Sequence, residues 1–307
     1  MKPRKELFTT YGRRPSYSLR ERVIRYSLRT MAYLTIVVTL AIVVVLLVDS
    51  VRFFQMYPAW DFLTGLRWEP FGQPKLLGLW PLVTGTFMIA IGSCAIAVPL
   101  GVGTAIFLSQ YASVRVRETI GPIVEILGGI PTVVYGYFAL LTITPALRTI
   151  FPQMDIFNAL SASIVVGIAI LPMVSSLSLE SMRLVPPAIR NAGYALGMRK
   201  FHVVVKITIP AAASGIVASV ILAFARAIGE TMAVALAAGS TPNMEFNYLK
   251  GIQTVTAYIV QVSLGDTPAG SIEYYTIYAL GLTMFLIAFA FNFLASRIVA
   301  RYREVYS

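Results

Sequence analysis

The sequence predicts an all-α polytopic membrane protein with six transmembrane helices, and three observations lead to this fold class. Of its 307 residues, 57% are hydrophobic and only 13% are charged, whereas a soluble globular protein has about a quarter of its residues charged. Six segments are apolar over roughly the 20 residues that a helix needs to cross a bilayer. Lys and Arg are concentrated in alternate connecting segments, as in chains that cross a membrane repeatedly.

The six predicted spans share an apolar composition with few charges. They are 31–48, 82–108, 120–147, 160–179, 215–238 and 274–295. Helices are predicted rather than strands because backbone groups in lipid must bond within their own segment. The first span is interpreted as a retained helix and not as a signal peptide, since its apolar run has 18 residues and no small-residue cleavage site follows it.

The distribution of basic residues predicts the orientation. Nineteen Lys and Arg fall in the segments on one side, and five fall in the segments on the other. The basic side comprises 1–30, 109–119, 180–214 and 296–307, and the other side comprises 49–81, 148–159 and 239–273. By the positive-inside rule both termini are expected to be cytoplasmic tails, at 1–30 and 296–307. The net charge of +11 then indicates an anchor at the membrane surface and not a nucleic-acid partner.

Two predicted extracytoplasmic loops, 49–81 and 239–273, are long enough to be a docking surface or a lid, and the sequence leaves both open. The second loop contains the apolar stretch IQTVTAYIVQVS, which is too short to span and predicts an interfacial or re-entrant helix. A single Cys and a single His predict neither an internal disulfide nor a metal site.

The third span is predicted to be broken. Its sequence GGIPTVVYG places Gly128, Gly129 and Pro131 together. Proline removes a backbone donor, and the freed carbonyl groups must be satisfied by protein or by water in a cavity. Interrupted helices often line transport sites, so Pro131 and Thr132 are predicted to line a substrate pathway. A proline kink that serves only helix packing is the alternative.

The fifth span carries two charges, Arg226 and Glu230. Arg226 lies eleven residues after Gly215, or roughly 16 Å along a helix, which is near the middle of a core about 30 Å thick. A charge there costs about 2.5–3.5 kcal/mol. On a continuous helix Glu230 shares a face with Arg226, so the two can neutralise each other. Intramembrane charges usually mark a substrate path, and the alternative is a salt bridge that only pins helices.

The chemistry of this pair points to an anionic substrate. A guanidinium group offers forked donors that match a tetrahedral oxyanion such as phosphate or sulfate. Glu230 either holds Arg226 in place when the site is empty or accepts a hydrogen bond from a protonated phosphate. The residues alone do not choose between these roles.

The predicted cytoplasmic loop 180–214 contains a short helix, a glycine turn and a second segment. Pro186 and Pro187 suit the first turn of a helix, and Gly197 suits the left-handed position that ends one. An ordinary connector would show the same features. The spacing of Asn191, Ala192, Gly193, Gly197, Ile207 and Pro210 fits the pattern E-A-A-x3-G-x9-I-x-L-P.

That pattern resembles the coupling loop of ABC importer permeases, whose short helix docks on a separate ATPase. The chain departs from it at Asn191, which replaces a Glu, and at Gly193, which replaces an Ala. The chain has no G-x-x-x-x-G-K-[ST] phosphate loop, so it is predicted not to be an enzyme. It carries no cofactor itself, and ATP and Mg would be bound by the partner ATPase.

The sequences ARAIGETMAVALAAG and GGIPTVVYG, with AVPLGVGTAIFLSQYA at 97–112, resemble the C-type permeases of the Pst phosphate importer family. The resemblance implies a type I ABC importer permease fold with a core at 82–295, in a bacterial inner membrane. It also implies a role as half of a heterodimeric pathway for inorganic phosphate. The partners would be an A-type permease subunit, a dimeric ATP-binding subunit and an extracytoplasmic phosphate-binding protein. Alternatives are a permease for another oxyanion or a phosphonate, an ATP-independent anion transporter or channel, and a membrane sensor or scaffold.

Overall fold

The computed structural model describes residues 19–265 and 267–302 of the chain. The predicted tail at 1–30 therefore lies outside the described residues up to residue 18, and the tail at 296–307 does so from residue 303. Position 266, in the loop predicted at 239–273, also lies outside them. The chain divides into two units, 1–48 and 49–307.

The described part of the chain consists of helices and one pair of two-residue strands. The helices are α1 (Leu19–Met56), α2 (Ala59–Thr64), α3 (Trp80–Ile106), α4 (Val114–Gly129), α5 (Thr132–Phe138), α6 (Thr144–Arg148), α7 (Ala159–Arg183), α8 (Pro187–Ala195), α9 (Lys200–Val203), α10 (Ile209–Ala211), α11 (Ala213–Ile228), α12 (Met232–Ala237), α13 (Val255–Leu264) and α14 (Ile272–Tyr302). Strands β1 (Trp68–Glu69) and β2 (Leu76–Leu77) pair antiparallel. Three π-helical turns, at Phe107–Tyr111, Ala139–Ile143 and Val204–Thr208, follow α3, α5 and α9.

Four helices in the described residues are long and apolar enough to cross a membrane, namely α1, α3, α7 and α14. Two further spans are bent. One joins α4 to α5 and α6 through an angle of 90°, and the other joins Lys200–Ala211 to α11 through 67°. When each bent pair counts as one span, the predicted number of six spans is confirmed.

The centre of the second unit is formed by α3 and α7, which pack together through small residues. A β-carbon at Gly92 would lie 2.5 Å from Oγ of Ser163, and one at Gly167 would lie 3.0 Å from the carbonyl oxygen of Ser93. Small side chains let membrane helices approach this closely. Helices α5, α11 and α12 complete the same buried cluster, which includes Tyr135, Ala227 and Ala233.

The strand pair and α2 form a second buried cluster with α13 and α14. The indole ring of Trp68 meets the ring of Tyr258 edge to face, with the centroids 4.8 Å apart. Lys75 forms an ion pair with Glu273 at the start of α14. The loop predicted at 49–81 is therefore packed against the helices rather than separate from them.

Asn158 joins three elements at one end of this unit. It caps α7 by accepting a hydrogen bond from Ser161 N–H at 2.7 Å, and its own N–H donates to the carbonyl of Ala237, at the end of α12, at 3.0 Å. Its side-chain amide donates to Oγ1 of Thr144, at the start of α6, at 3.3 Å. Asn158 thus joins the start of α7 to the end of α12 and the start of α6.

The loop between α12 and α13 completes the cap of α7. The first free N–H groups of this helix belong to Ala159 and Leu160, which donate to the carbonyls of Lys250 and Tyr248 at 3.0 and 2.8 Å. Because the first N–H groups of a helix have no partner within it, a buried helix start needs such acceptors. The sequence predicted a short interfacial or re-entrant helix within the loop 239–273, and α13 is a helix of 10 residues in that loop.

Candidate functional site

The fifth span is interrupted between its two charged residues. Helix α11 ends at Ile228, and α12 begins at Met232, so Gly229, Glu230 and Thr231 lie outside both helices. The prediction of one unbroken helix over 215–238 is therefore wrong. Glycine weakens a helix, and the Thr231 hydroxyl donates to the carbonyl of Gly229 at 3.1 Å, a local bond that competes with helical bonding.

This interruption also overturns the predicted pairing of Arg226 with Glu230. Arg226 is exposed in the last turn of α11, and Glu230 is only 9% exposed. No nitrogen of Arg226 lies within 4.0 Å of a carboxylate oxygen in the described part of the chain. The four-residue spacing places two side chains on one face only while the helix continues, and it stops before Glu230. The guanidinium group is thus left available to another anion.

Glu230 is fixed by three hydrogen bonds around the break. Its N–H donates to the carbonyl of Ala227 at 3.2 Å, and its Oε1 accepts from the N–H of Thr231 at 3.2 Å. Its carbonyl oxygen accepts from Oγ1 of Thr256, in the first turn of α13, at 2.7 Å. No sequence pattern indicates Thr256, because the contact joins segments 26 residues apart.

The third span breaks where it was predicted to break. Helix α4 ends at Gly129, and Pro131 precedes the first residue of α5, Thr132. In a continuous helix the carbonyl of Leu127 would accept from the N–H of residue 131, which proline lacks. The hydroxyl of Tyr135 donates to that carbonyl at 2.7 Å instead. Tyr135 is a second residue of the site that no sequence pattern indicates.

The helices that follow the two breaks pack against each other. A β-carbon at Gly136 in α5 would lie 2.8 Å from Cβ of Leu236 and 3.2 Å from Cα of Ala233, both in α12. The structure thus brings the two interrupted spans together immediately after their breaks.

Within the described residues, no hydrogen bond or ion pair joins Pro131 or Thr132 to Arg226 or Glu230. The four predicted pathway residues therefore lie at two neighbouring breaks, but no polar contact joins one break to the other. Thr132 is partly exposed and Pro131 is exposed, so both side chains border open space beside the break.

The predicted coupling loop forms the short helix α8 and a glycine turn. Gly197 has φ of +77°, the left-handed conformation that the sequence predicted there. The N–H of Gly197 donates to the carbonyl of Tyr194 at 2.9 Å, and the N–H of Met198 donates to that of Gly193 at 3.2 Å. This pair of bonds is a Schellman motif, which ends a helix and reverses the chain.

Two residues of the coupling pattern are in contact across this turn. Gly193 is buried, and a β-carbon there would lie 2.5 Å from Cδ1 of Ile207. The departure from Ala at this position therefore makes room for the Ile207 side chain. Asn191 and Ala192 are exposed on α8, and Pro210 lies in α10, just before the 67° bend.

The coupling loop also contacts the end of another span. The ammonium group of Lys200 lies over the ring of Tyr111, 4.7 Å from its centroid, in the π-helical turn after α3. Beside α8, the side chains of Leu184, Leu196 and Phe201 are strongly exposed. An apolar surface of this kind is typical of a protein contact.

A protein-family model described as "Binding-protein-dependent transport system inner membrane component" matches residues 97–304 of the chain. The matched region includes both breaks and the coupling loop.

Several curated proteins are similar over most of their length. The chain is 32% identical over 241 residues to a probable ABC transporter permease protein, YqgH, of Bacillus subtilis, with 78% of each chain covered. It is 28% identical to the phosphate transport system permease protein PstC of Mesorhizobium japonicum, with 89% of this chain and 88% of that one covered. A probable PstC of Methanocaldococcus jannaschii is 29% identical, with 82% and 87% covered.

Solved structures share the fold at low sequence identity. One chain of a bacterial alginate ABC transporter in complex with an alginate pentasaccharide-bound periplasmic protein matches with a TM-score of 0.64 at 16% identity, covering 92% of this chain and 97% of that one. One chain of the MetNI methionine ABC transporter, in an inward-facing conformation, matches with a TM-score of 0.55 at 17% identity, covering 74% and 95%. The predicted type I ABC importer permease fold is confirmed.

Proposed function

This chain belongs to the family of inner membrane components of binding-protein-dependent transport systems, and from this premise we propose that it imports inorganic phosphate. It is a multi-pass permease subunit of an ABC importer and not itself an ATPase, as the sequence predicted. The predicted resemblance to C-type phosphate permeases is confirmed by relatives such as those of Mesorhizobium and Methanocaldococcus. The choice of phosphate as the substrate is the step that we propose.

The observation that carries this proposal is that the Arg226 side chain is exposed and has no carboxylate partner among the described residues. The guanidinium group is exposed at the break of a membrane span, and no carboxylate in the described residues is paired with it. A bare charge facing lipid is costly, so this group is expected to face a water-filled path or a partner subunit. Its forked donors match the oxygens of a tetrahedral anion, which would supply the missing negative charge.

Glu230 is proposed to add selectivity at the same break. A carboxylate accepts hydrogen bonds, and phosphate near neutral pH still carries a proton that it can donate. Sulfate at neutral pH carries no such proton. The buried position of Glu230 favours this role over a surface charge that water would screen.

In the proposed mechanism, an A-type permease subunit completes the path, and a dimeric ATP-binding subunit holds ATP and Mg. ATP-driven closure of that subunit would move α8, whose exposed neighbours include Leu196 and Phe201. The contact of Lys200 with Tyr111 provides a route from this loop to the end of α3. A phosphate-binding protein would deliver the anion on the extracytoplasmic side of a bacterial inner membrane, with both termini of this chain in the cytoplasm.

The test is phosphate uptake by the assembled importer carrying Arg226→Gln. We expect uptake to fall by at least tenfold, because the substituted side chain keeps some hydrogen bonding but loses the charge. Arg148→Gln is the matched control, since Arg148 is an exposed arginine in the last turn of α6 and belongs to neither break. Full uptake by the Arg226 variant would overturn the pathway assignment.

Competition and energy depletion separate the alternatives. If sulfate or a phosphonate displaces labelled phosphate at equal concentration, the importer serves another oxyanion or a phosphonate. If uptake continues after ATP is depleted, the chain acts as an ATP-independent transporter or channel. Family membership favours the ATP-driven importer over that second class and over a sensor or scaffold without transport.

A further inference from the structure

The carbonyl group of Glu230 lacks a backbone hydrogen-bond partner among the described residues at the break of the fifth span. It lies outside both α11 and α12, and no backbone N–H in the described part of the chain donates to it. In a low-dielectric interior an unpaired backbone carbonyl is strongly disfavoured. Within residues 19–265 and 267–302, the hydroxyl of Thr256 is the one donor to this carbonyl, at 2.7 Å.

Thr256 is itself held in a fixed place. Thr254 caps α13 by accepting from the N–H of Ala257 at 3.2 Å. The N–H of Val255 donates to Oγ1 of Thr86 in α3 at 3.1 Å. One residue earlier in α3, a β-carbon at Gly85 would lie 2.4 Å from the carbonyl oxygen of Gln253. The first turn of α13 is thus anchored on α3, the helix at the centre of the unit.

From this arrangement we propose that Thr256 is a positioning residue for Glu230 and that α13 forms a wall of the substrate path. The inference rests on the proposed transport function and deepens it. The direction of a Glu side chain depends on its own backbone angles. Two hydrogen bonds fix those angles: the Glu230 N–H donates to the carbonyl of Ala227, and the Glu230 carbonyl accepts from the hydroxyl of Thr256. Loss of the second bond lets the carboxylate turn away from the break.

The experiment compares three variants of the complete importer in proteoliposomes, with its partner subunits and binding protein. Thr256→Val keeps the shape of the side chain and removes the donor, and Thr256→Ser keeps the donor. Thr283→Val is the matched control, since among the described residues the Thr283 hydroxyl bonds only to the carbonyl of Ala279 in its own helix, at 2.8 Å. Phosphate uptake and ATP hydrolysis are measured together, and the amount of assembled complex normalises both.

We expect Thr256→Val to import about tenfold less phosphate per ATP hydrolysed, and both Thr256→Ser and Thr283→Val to stay within twofold of the parent. A general loss of folding would lower ATP hydrolysis with uptake and would leave their ratio unchanged. The inference is overturned if Thr256→Val keeps the parental ratio, or if Thr256→Ser loses as much as Thr256→Val. If Thr256→Val does not assemble, Thr256→Ala is compared with Thr256→Ser by the same ratio.

The same data separate this inference from the proposed function. A strong loss with Arg226→Gln and none with Thr256→Val refutes the positioning role alone. Full uptake with Arg226→Gln refutes the phosphate pathway at this break, whatever Thr256→Val does.

Discussion

The break at Pro131 is expected to depend on one hydroxyl group, that of Tyr135. Replacing Tyr135 by Phe removes only the oxygen that donates to the carbonyl of Leu127 at 2.7 Å and leaves the buried ring in place. The N–H of Ile130 approaches the same carbonyl at 3.5 Å, which is too long to replace the lost bond. The substitution therefore leaves a carbonyl group without a good partner at the bend.

The carbonyl of Leu127 is part-buried, and leaving it unsatisfied costs on the order of 1–3 kcal/mol. At roughly 2.1 cal/mol/K of unfolding entropy per residue, a chain of 307 residues loses about 1.5 °C of Tm per kcal/mol. We therefore expect Tyr135→Phe to lower the Tm of this subunit by about 2–5 °C, measured by thermal denaturation in lipid nanodiscs.

Tyr137→Phe is the matched control for this substitution. Tyr137 lies two residues further along α5, its side chain is exposed, and none of the hydrogen bonds described for this chain involves its hydroxyl. We expect a change within about 0.5 kcal/mol for this exposed site. Equal Tm values for the two variants would refute the view that Tyr135 replaces the donor that Pro131 lacks.

Two further predictions concern the coupling turn and the selectivity of the site. Gly197→Ala forces a side chain into the left-handed region, which costs about 1–2 kcal/mol. We therefore expect the stimulation of ATP hydrolysis by the binding protein to fall. Gly121→Ala is the control and should leave this stimulation unchanged, since no atom lies within 4 Å of the new carbon. Glu230→Gln is expected to relax discrimination against sulfate in an uptake assay, because the amide can donate to a fully ionised anion. An unchanged preference for phosphate would refute contact between Glu230 and the anion.

Much of the fold could be predicted because its signals are local in the sequence. The apolar runs gave the six spans, Pro131 with two glycines gave the break of the third span, and Gly197 gave the turn after α8. Each of these features follows from the chemistry of a few adjacent residues.

The break of the fifth span could not be predicted in the same way. Glycine and threonine, the residue types at 229 and 231, are both common in membrane helices, and neither removes a backbone donor as proline does. What makes the interruption tolerable is Thr256, which reaches Glu230 from α13. That contact depends on how the loop between them folds back, and no pattern in the fifth span records it. The predicted ion pair of Arg226 with Glu230 is absent from the described residues because it requires a continuous helix, and α11 ends at Ile228.

The convergence of the chain on Asn158 limits how the two breaks can move. Thr144, which follows α5, and Ala237, at the end of α12, are both tied to this one asparagine, whereas their opposite ends lie at the breaks near Pro131 and Glu230. A rigid tilt about Asn158 of α12, or of the segment from α5 to Thr144, would displace the residues at the break most and those near Asn158 least. We therefore expect the two breaks to open or close without loss of the hydrogen bonds that cap α7.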